Sequence, residues 1–430
     1  MDKLLIKGGR RLTGRVEVAG AKNAALKLMA ASILADGPVI LTNVPKITDV
    51  RTMASVLRHL GGLVDLDYRD QVVIDPLTYT GFEAPYELVS QMRASIIVLG
   101  PLLAREGRAR VAMPGGCNIG SRKIDLHIRG LEALGANIEV DRGFIDARAA
   151  RLVGGKVALD FPSVGATENV LMAAVLARGT TLIENAAREP EIVDLAKMLV
   201  EMGAKIEGHG TQTIVVEGVD RLSGVTHRVV PDRIEAGTFL AAAAVTGGEI
   251  TVEGASAGHL ELVLTKLKDA GMEIEVEGNE IKLIGRRPVL PIDIATLPYP
   301  GFPTDMQAQI MVLLSLANGT SVVTENIFEN RFTVADELVR MGCDIRIDGH
   351  HAVIRGVDRL TGVPVKAPDL RGGAGLVLAG LAAEGTTVVS DVHHIDRGYE
   401  NFEEKLRSVG ADIERLTSEE LVEAERTFLS

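Results

Sequence analysis

Six times along this chain a helix-like segment ends on a glycine and runs into a strongly alternating tail. The copies read LRHLGGLVDL from Leu57, LEALGANIEV from Leu131, LVEMGAKIEG from Leu199, LKDAGMEIEV from Leu267, LVRMGCDIRI from Leu338 and LRSVGADIER from Leu406. Their glycines are Gly61, Gly135, Gly203, Gly271, Gly342 and Gly410. They recur at an interval of roughly 70 residues, and a period sustained over the whole length describes the scaffold before any single motif does. Units of this length exceed the roughly 20–45 residues usual in solenoids, so each must be a larger supersecondary assembly.

Each unit also carries an earlier apolar segment, such as KNAALKLMAASILADG from Lys22 or TENVLMAAVLARG from Thr167. It is apolar on nearly every side, which predicts a buried helix. A turn glycine follows (Gly37, Gly107, Gly179, Gly247, Gly319 or Gly385), placed to close that helix with a left-handed dihedral. A β-branched run such as TTLIEN or TSVVTEN then reads as a strand. The second helix is amphipathic: in IVDLAKMLVEMG, Ile192, Leu195, Ala196 and Leu199 share one face. The alternating tail reads as a hairpin. The unit is therefore roughly β-α-β-α-β-β, an α/β fold, and six units fall into two groups of three. We expect residues 21–229 to form one lobe and 230–430 the other. The strands of residues 1–20 are expected to complete the last unit of the second lobe, with a ligand cleft between the lobes.

Composition narrows the function classes. A net charge of −12 argues against a nucleic-acid binder, which usually carries a basic surface. The two cysteines, Cys117 and Cys343, make no disulfide framework, and a reducing compartment is expected. MDKLLIKGGRRL lacks the hydrophobic region of a signal peptide, and no stretch reads as a membrane span, so a cytoplasmic protein is expected. There is no Walker A loop, GxSxG elbow, CxxC or HExxH spacing, and no GxGxxG after an early strand; we expect no metal site.

Function should sit where one unit carries something the others do not need. PGGCNIGSRKIDLHIRG, from Pro114, is the clearest departure. Its glycines can present backbone N–H groups to an anion, and Arg122 and Lys123 would favour a thiolate at Cys117. Cys117 as a buried small hydrophobe is the competing reading; Cys343, in a regular repeat position, reads as structural. The entrances of the buried helices form a second constellation: Lys22 and Asn23, Arg93, Ser163 to Thr167, Asp232, Asp305, and Asp369 with Arg371. Ser163 and Asp232 could be simple caps. Cations such as Lys22, Arg93 and Arg371 are unfavourable at a helix N-terminus, and a bound anion would account for them. Arg397 precedes the last outer helix, at a connection like the cysteine loop, and His127 follows Asp125 at a helix start.

Together GAKNAALKL, PGGCNIGSRKIDLHIRGLEALGA, ENAAREPEIVD, GFPTDMQAQ, ENRF and HHIDRGYENFEEKLRSVGAD resemble the enolpyruvyl transferases that act on UDP-N-acetylglucosamine. The resemblance runs over essentially the whole chain. It implies a two-lobed inside-out α/β barrel, each lobe a pseudo-threefold assembly of three units with helices inside. It implies transfer of the enolpyruvyl group of phosphoenolpyruvate to the 3′-hydroxyl of UDP-N-acetylglucosamine by addition and elimination, the first committed step of peptidoglycan precursor synthesis, without cofactor or metal. By resemblance, Cys117 is a general acid that forms a covalent adduct and is alkylated by fosfomycin. Asp305 handles the 3′-hydroxyl proton. Lys22, Asn23, Arg122 and Arg397 surround phosphoenolpyruvate, Lys22 and Arg397 acting in catalysis as well. Arg93, Arg122, Lys123, Ile124, Asp125, Leu126, Ser163, Val164, Gly165, Asp305 and Ile327 contact the sugar nucleotide. His127, Arg331, Asp369 and Arg371 support them. One departure stands out: many family members have lysine where Phe161 stands, which shifts nucleotide binding toward Arg122, Lys123 and backbone groups. Cysteine rather than aspartate at 117 predicts fosfomycin sensitivity. Two alternatives stay open, a transferase using shikimate 3-phosphate and a catalytically silent paralogue. The joint presence of Lys22, Cys117, Asp305 and Arg397 argues against the second.

Overall fold

A computed structural model describes residues 2–66, 71–76, 79, 81–113, 124–417 and 420. They divide into two compact units, one joining residues up to 19 with those from 231 onward, the other built from the described part of 20–230.

In the unit of 20–230 three four-stranded sheets share one plan. A leading strand lies parallel to the next strand, which pairs antiparallel with the second arm of a hairpin. The first sheet runs Val225–Arg228, Val39–Thr42, Gln71–Asp75, Leu63–Asp65. Its leading strand comes from beyond the third repeat: the polar segment around His227 is a strand in register with Val39–Thr42. The second sheet is built on Arg108–Ala112 and the third on Thr180–Glu184. Strand faces alternate as the sequence pattern requires: Val39 and Leu41 are fully buried, and Ile40 between them is half-buried.

The other unit repeats the plan with sheets centred on Glu249–Glu253, Thr320–Thr324 and Thr386–Ser390. Thr13–Glu17 leads the first of these, parallel to Glu249–Glu253. In the last sheet Lys3–Lys7 occupies the place that a second hairpin arm takes elsewhere. It pairs antiparallel with both Thr386–Ser390 and Asp412–Leu416.

Each repeat opens with a helix whose sides are nearly all buried. In Lys22–Ala31 every residue but Asn23 is buried, and in Arg233–Thr246 twelve of the 14 are. Arg233–Thr246, Gln307–Leu314 and Leu370–Ala382 pack on one another in all three pairings. In the unit of 20–230, Leu99–Glu106 packs on Val164–Ala174, and Lys22–Ala31 packs on the 3-10 turn Arg93–Val98. Burying a Leu or Val side chain is worth roughly 1.5–3 kcal/mol, so these all-round apolar helices are the main cohesive element of each core.

The repeated glycine ends the second, amphipathic helix through a common bond pattern. All six have positive φ, from 88° at Gly135 to 110° at Gly203. In every copy the residue after the glycine donates its N–H to the carbonyl of the leucine that opens the signature: Gly62 to Leu57, Ala136 to Leu131, Ala204 to Leu199, Met272 to Leu267, Cys343 to Leu338 and Ala411 to Leu406. This is a Schellman stop, and it explains the pairing of Leu and Gly in the signature. The turn glycine after the first helix closes it in only two of the six repeats. Gly107 and Gly247 are left-handed caps as expected, but Gly179, Gly319 and Gly385, though of positive φ, lie beyond helices that end at Ala174, Leu314 and Ala382, and Gly37 has no positive φ. After Lys22–Ala31 the chain tightens into the 3-10 turn Ser32–Leu34 and leaves through extended Ala35, so no left-handed stop is required.

Candidate functional site

In the unit containing residues 231–430, the charged residues at helix entrances form one network. Asp305 lies in the 3-10 turn Thr304–Met306 that feeds the helix Gln307–Leu314. Arg331 Nη2 donates to Asp305 Oδ1 at 2.9 Å, while Arg371 reaches Oδ2 with Nε at 3.2 Å and Nη2 at 3.1 Å. Both guanidiniums are almost fully buried, whereas a quarter of the Asp305 side chain is exposed (25%). Burial alone would lower the Arg371 pKa, but Tyr399 and Asp305 outweigh it and the net shift is upward. Asp369 caps the helix Leu370–Ala382 through the N–H groups of Arg371 (2.9 Å) and Gly372 (3.0 Å), and its other oxygen accepts from Thr333 Oγ1 at 3.0 Å. Arg397 ends the 3-10 segment Val392–Arg397, and its neighbour Asp396 is gripped by both terminal nitrogens of Arg415, at 3.0 and 2.6 Å. Ile327 donates its N–H to Glu325 Oε1 at 2.8 Å.

In the unit of 20–230, Lys22 opens its helix with Nζ 2.8 Å from Asp49 Oδ2, both groups deeply buried. Asn23 follows, and its carbonyl accepts from Lys27 Nζ at 2.7 Å. Lys27 in turn lies 3.5 Å from Glu168, whose fully buried carboxyl is pushed up to about 8 by burial, against the pull of Lys27. Ser163 accepts from Ala166 N–H at 3.4 Å, and Val164 and Gly165 form the first turn of Val164–Ala174. His127 is buried on the helix Asp125–Glu132, its Nδ1 2.9 Å from Asn169 Nδ2. Burial, then the positive charge of Arg93, lowers its pKa to about 4. With Asn169 donating, Nδ1 is the acceptor nitrogen of a neutral imidazole. Gly165 sits against that ring: a Cβ there would lie 3.0 Å from His127 Cε1. Ile124, Asp125 and Leu126 are half-buried, and Asp125 pairs with Arg129 at 3.3 Å.

The entrance residues thus separate by role. Ser163, Asp232 and Asp369 are caps. Entrance cations do not by themselves require a bound anion: Lys22 and Arg371 already face carboxylates, Asp49 and Asp305. Cys343 is buried, and burial pushes its thiol up to about 11, as suits a structural residue. Cys117, Arg122 and Lys123 lie outside the described residues. Several residues in these networks escaped the sequence reading. Glu168 and Asn169 carried a signal, as polar residues in the middle of a buried apolar helix. Asp49, Glu325 and Tyr399 carried none, because their partners are distant in sequence.

Comparison with known proteins decides the family. The family described as EPSP synthase (3-phosphoshikimate 1-carboxyvinyltransferase) matches residues 6–406. The chain is 57% identical over 419 residues to the UDP-N-acetylglucosamine 1-carboxyvinyltransferase 2 of Carboxydothermus hydrogenoformans, covering 97% of this chain and 100% of that protein. It is 53% identical over 417 residues to the UDP-N-acetylglucosamine 1-carboxyvinyltransferase of Desulfosudis oleivorans, again covering 97% and 100%.

The chain belongs to the enolpyruvyl transferase family.

It is an enzyme of the carboxyvinyl transferase type, with an α/β fold shared by solved members of the family. The enolpyruvyl transferase NikO from Streptomyces tendae superposes with a TM-score of 0.88 at 26% identity, covering 97% of this chain and 99% of that one. An EPSP synthase from Acinetobacter baumannii gives 0.75 at 19% identity, with 97% and 100% covered, a likeness of fold. As chemistry, a carboxylate held by two arginines suits proton transfer, and a lysine at a helix entrance suits anion binding.

Proposed function

We propose that this enzyme transfers the enolpyruvyl group of phosphoenolpyruvate to the 3′-hydroxyl of UDP-N-acetylglucosamine and releases phosphate, the first committed step of bacterial peptidoglycan precursor synthesis, in the cytoplasm. The observation that carries the reading is the 57% identity, over nearly the whole chain, to a transferase named for that acceptor. We take the scaffold to be two inside-out α/β barrels, each of three repeats, with lobes at 21–229 and 230–430 and the strands of 1–20 in the second.

In the first half-reaction the acceptor oxygen bonds to C2 of phosphoenolpyruvate and C3 gains a proton, giving a tetrahedral phosphate-bearing intermediate. In the second, C3 loses a proton and phosphate leaves. Asp305 takes the hydroxyl proton; Arg331 and Arg371 hold its carboxylate in place, and its exposed quarter is the face that meets the acceptor. Lys22, Arg122 and Arg397 neutralise the phosphate and carboxylate of phosphoenolpyruvate, with Asn23 orienting the intermediate. Cys117 supplies the proton to C3 and is the nucleophile toward fosfomycin. Arg93, Lys123, Ile124, Asp125, Leu126, Ser163, Val164, Gly165 and Ile327 hold the sugar nucleotide. The amide of Ile327 is engaged by Glu325, so its carbonyl is the group that meets the ligand. His127 and Asp369 support the neighbouring turns.

Phosphate release tests the reading. It should require phosphoenolpyruvate and UDP-N-acetylglucosamine together and should not occur with shikimate 3-phosphate. Turnover only with the shikimate ester would overturn it. Fosfomycin should add one equivalent at Cys117 and abolish turnover; activity that survives full alkylation would remove Cys117 from the mechanism.

A further inference from the structure

Glu325 gathers a hydrogen-bond cluster that no step of the proposed reaction uses. It follows the strand Thr320–Thr324 and is 3% exposed. Its Oε1 accepts from Thr296 Oγ1 at 2.9 Å and from the backbone N–H groups of Ile327 at 2.8 Å and Phe328 at 3.1 Å. Its Oε2 accepts from Thr304 Oγ1 at 2.9 Å and Gln307 Nε2 at 3.3 Å. A buried carboxyl is costly unless hydrogen-bonded, and these five donors supply that bonding without a cation. Thr296 is fastened in turn, its Oγ1 accepting from Asn326 N–H at 3.0 Å and its carbonyl from Asn326 Nδ2 at 3.2 Å.

The donors are placed around the acceptor chemistry. Thr304 immediately precedes Asp305, and Gln307 lies two residues after it. Ile327 is the backbone assigned above to the sugar nucleotide. Four residues further on, Arg331 reaches Asp305 Oδ1. The loop 325–331 is therefore clipped to the Asp305 turn at both ends, by Glu325 at its start and Arg331 at its finish. We propose that Glu325 is a positioning residue for the acceptor half of the reaction, setting the Asp305 turn and the Ile327 backbone relative to each other through one carboxyl group. The proposal rests on the roles given to Asp305 and Ile327 above.

Steady-state phosphate release with the full chain tests it, using Glu325→Ala, Glu325→Gln, Thr304→Val and, as reference, Asp305→Ala. Glutamine retains one carbonyl oxygen for the Ile327 and Phe328 amides; the Thr304 hydroxyl can accept from its NH2, and Gln307 can turn its own amide. Glu325→Ala should lower kcat and raise the KM for UDP-N-acetylglucosamine, together a loss of about 100-fold in kcat/KM, the scale expected for small misplacement of a reacting group. The KM for phosphoenolpyruvate should stay within about twofold, and Glu325→Gln should recover most of the loss. Thr304→Val removes a single hydroxyl and should show the same split, reduced to about tenfold; it carries the test if Glu325→Ala does not fold. Variants with lowered thermal midpoints but wild-type constants for both substrates would overturn the proposal, as would equal rises in both KM values. If Asp305→Ala turns over like wild type, the assignment of the base fails and the proposal with it. If Asp305→Ala is inactive while the Glu325 and Thr304 variants match wild type, the proposal alone fails.

Discussion

A guanidinium in the first turn of a helix meets a partial positive charge, and Arg371 shows how the conflict is relieved. Asp369 caps the same turn, and Asp305 binds the side chain from another repeat. Such an arrangement makes arginine difficult to replace. Arg371→Lys keeps the charge but loses the two-nitrogen grip on Oδ2, so we expect kcat to fall by about 10–100-fold, read by phosphate release, with folding retained by circular dichroism. Asp305→Ala should cost about 10²–10⁴ in kcat, the usual contribution of a general base. Stability at this scale depends on a buried carboxyl. Glu168 keeps its proton in the folded state up to about pH 8, whereas the unfolded carboxyl loses it in the ordinary range near 4.3. Over that window the folded protein binds more protons than the unfolded, so wild-type stability falls as pH rises. Glu168→Gln removes this dependence, and its thermal midpoint should gain on wild type from about pH 5 to about pH 8. Asp305 and Lys22 were legible as candidates from their place in the repeat. So was Arg371, but its pairing with Asp305, 66 positions away, was not, nor was Asp49 as the partner of Lys22, because a contact between distant segments leaves no local pattern.

At the level of helices and strands the sequence was most readable, because the same stop is written six times. Leu199 and Gly203 identify the helix end before any coordinate does, and the bond from Ala204 to Leu199 is what they encode. Gly203→Ala places a Cβ in open space but forces it to φ 110°, so the loss should be pure backbone strain, about 1–3 kcal/mol by chemical denaturation. What escaped reading is which strand joins which sheet. Val225–Arg228 carries no strand signal of its own, because His227 and Arg228 make it polar. Its role as leading strand depends on pairing with Val39–Thr42, two whole repeats and more before it in the chain. His227 also gives this strand a pH response. It sits 3.1 Å from Asp194 and 2.7 Å from Glu201. Burial lowers its pKa, but the two carboxylates prevail and the net shift is upward. A raised histidine adds stability that is complete below the unfolded value near 6.5 and disappears as pH rises through the folded value. Wild type should therefore exceed His227→Gln in thermal midpoint by more at about pH 6 than at about pH 9.

Across the whole molecule, the two compact units differ in how they use the chain. The residues of 20–230 form three sheets from one continuous stretch, whereas the sheets of the other unit need both the segment that ends at Ala19 and the chain from Pro231 onward. Deleting residues 1–8 should leave the bonding partners of Lys3–Lys7 exposed between Thr386–Ser390 and Asp412–Leu416. Limited proteolysis of that variant should cut preferentially beyond residue 230 and spare 20–230; equal cutting of both would show that the strand matters little. The same topology imposes an order on synthesis. Lys3–Lys7 leaves the ribosome before all the other described strands, yet the strands on either side of it end at Ser390 and Leu416. At roughly 5–20 residues per second, that is an interval of roughly 20–80 s. Throughout that time the unit of 20–230 can complete its own sheets, while the opening strand waits without its permanent neighbours and within reach of any folding helper that recognises an unpaired strand.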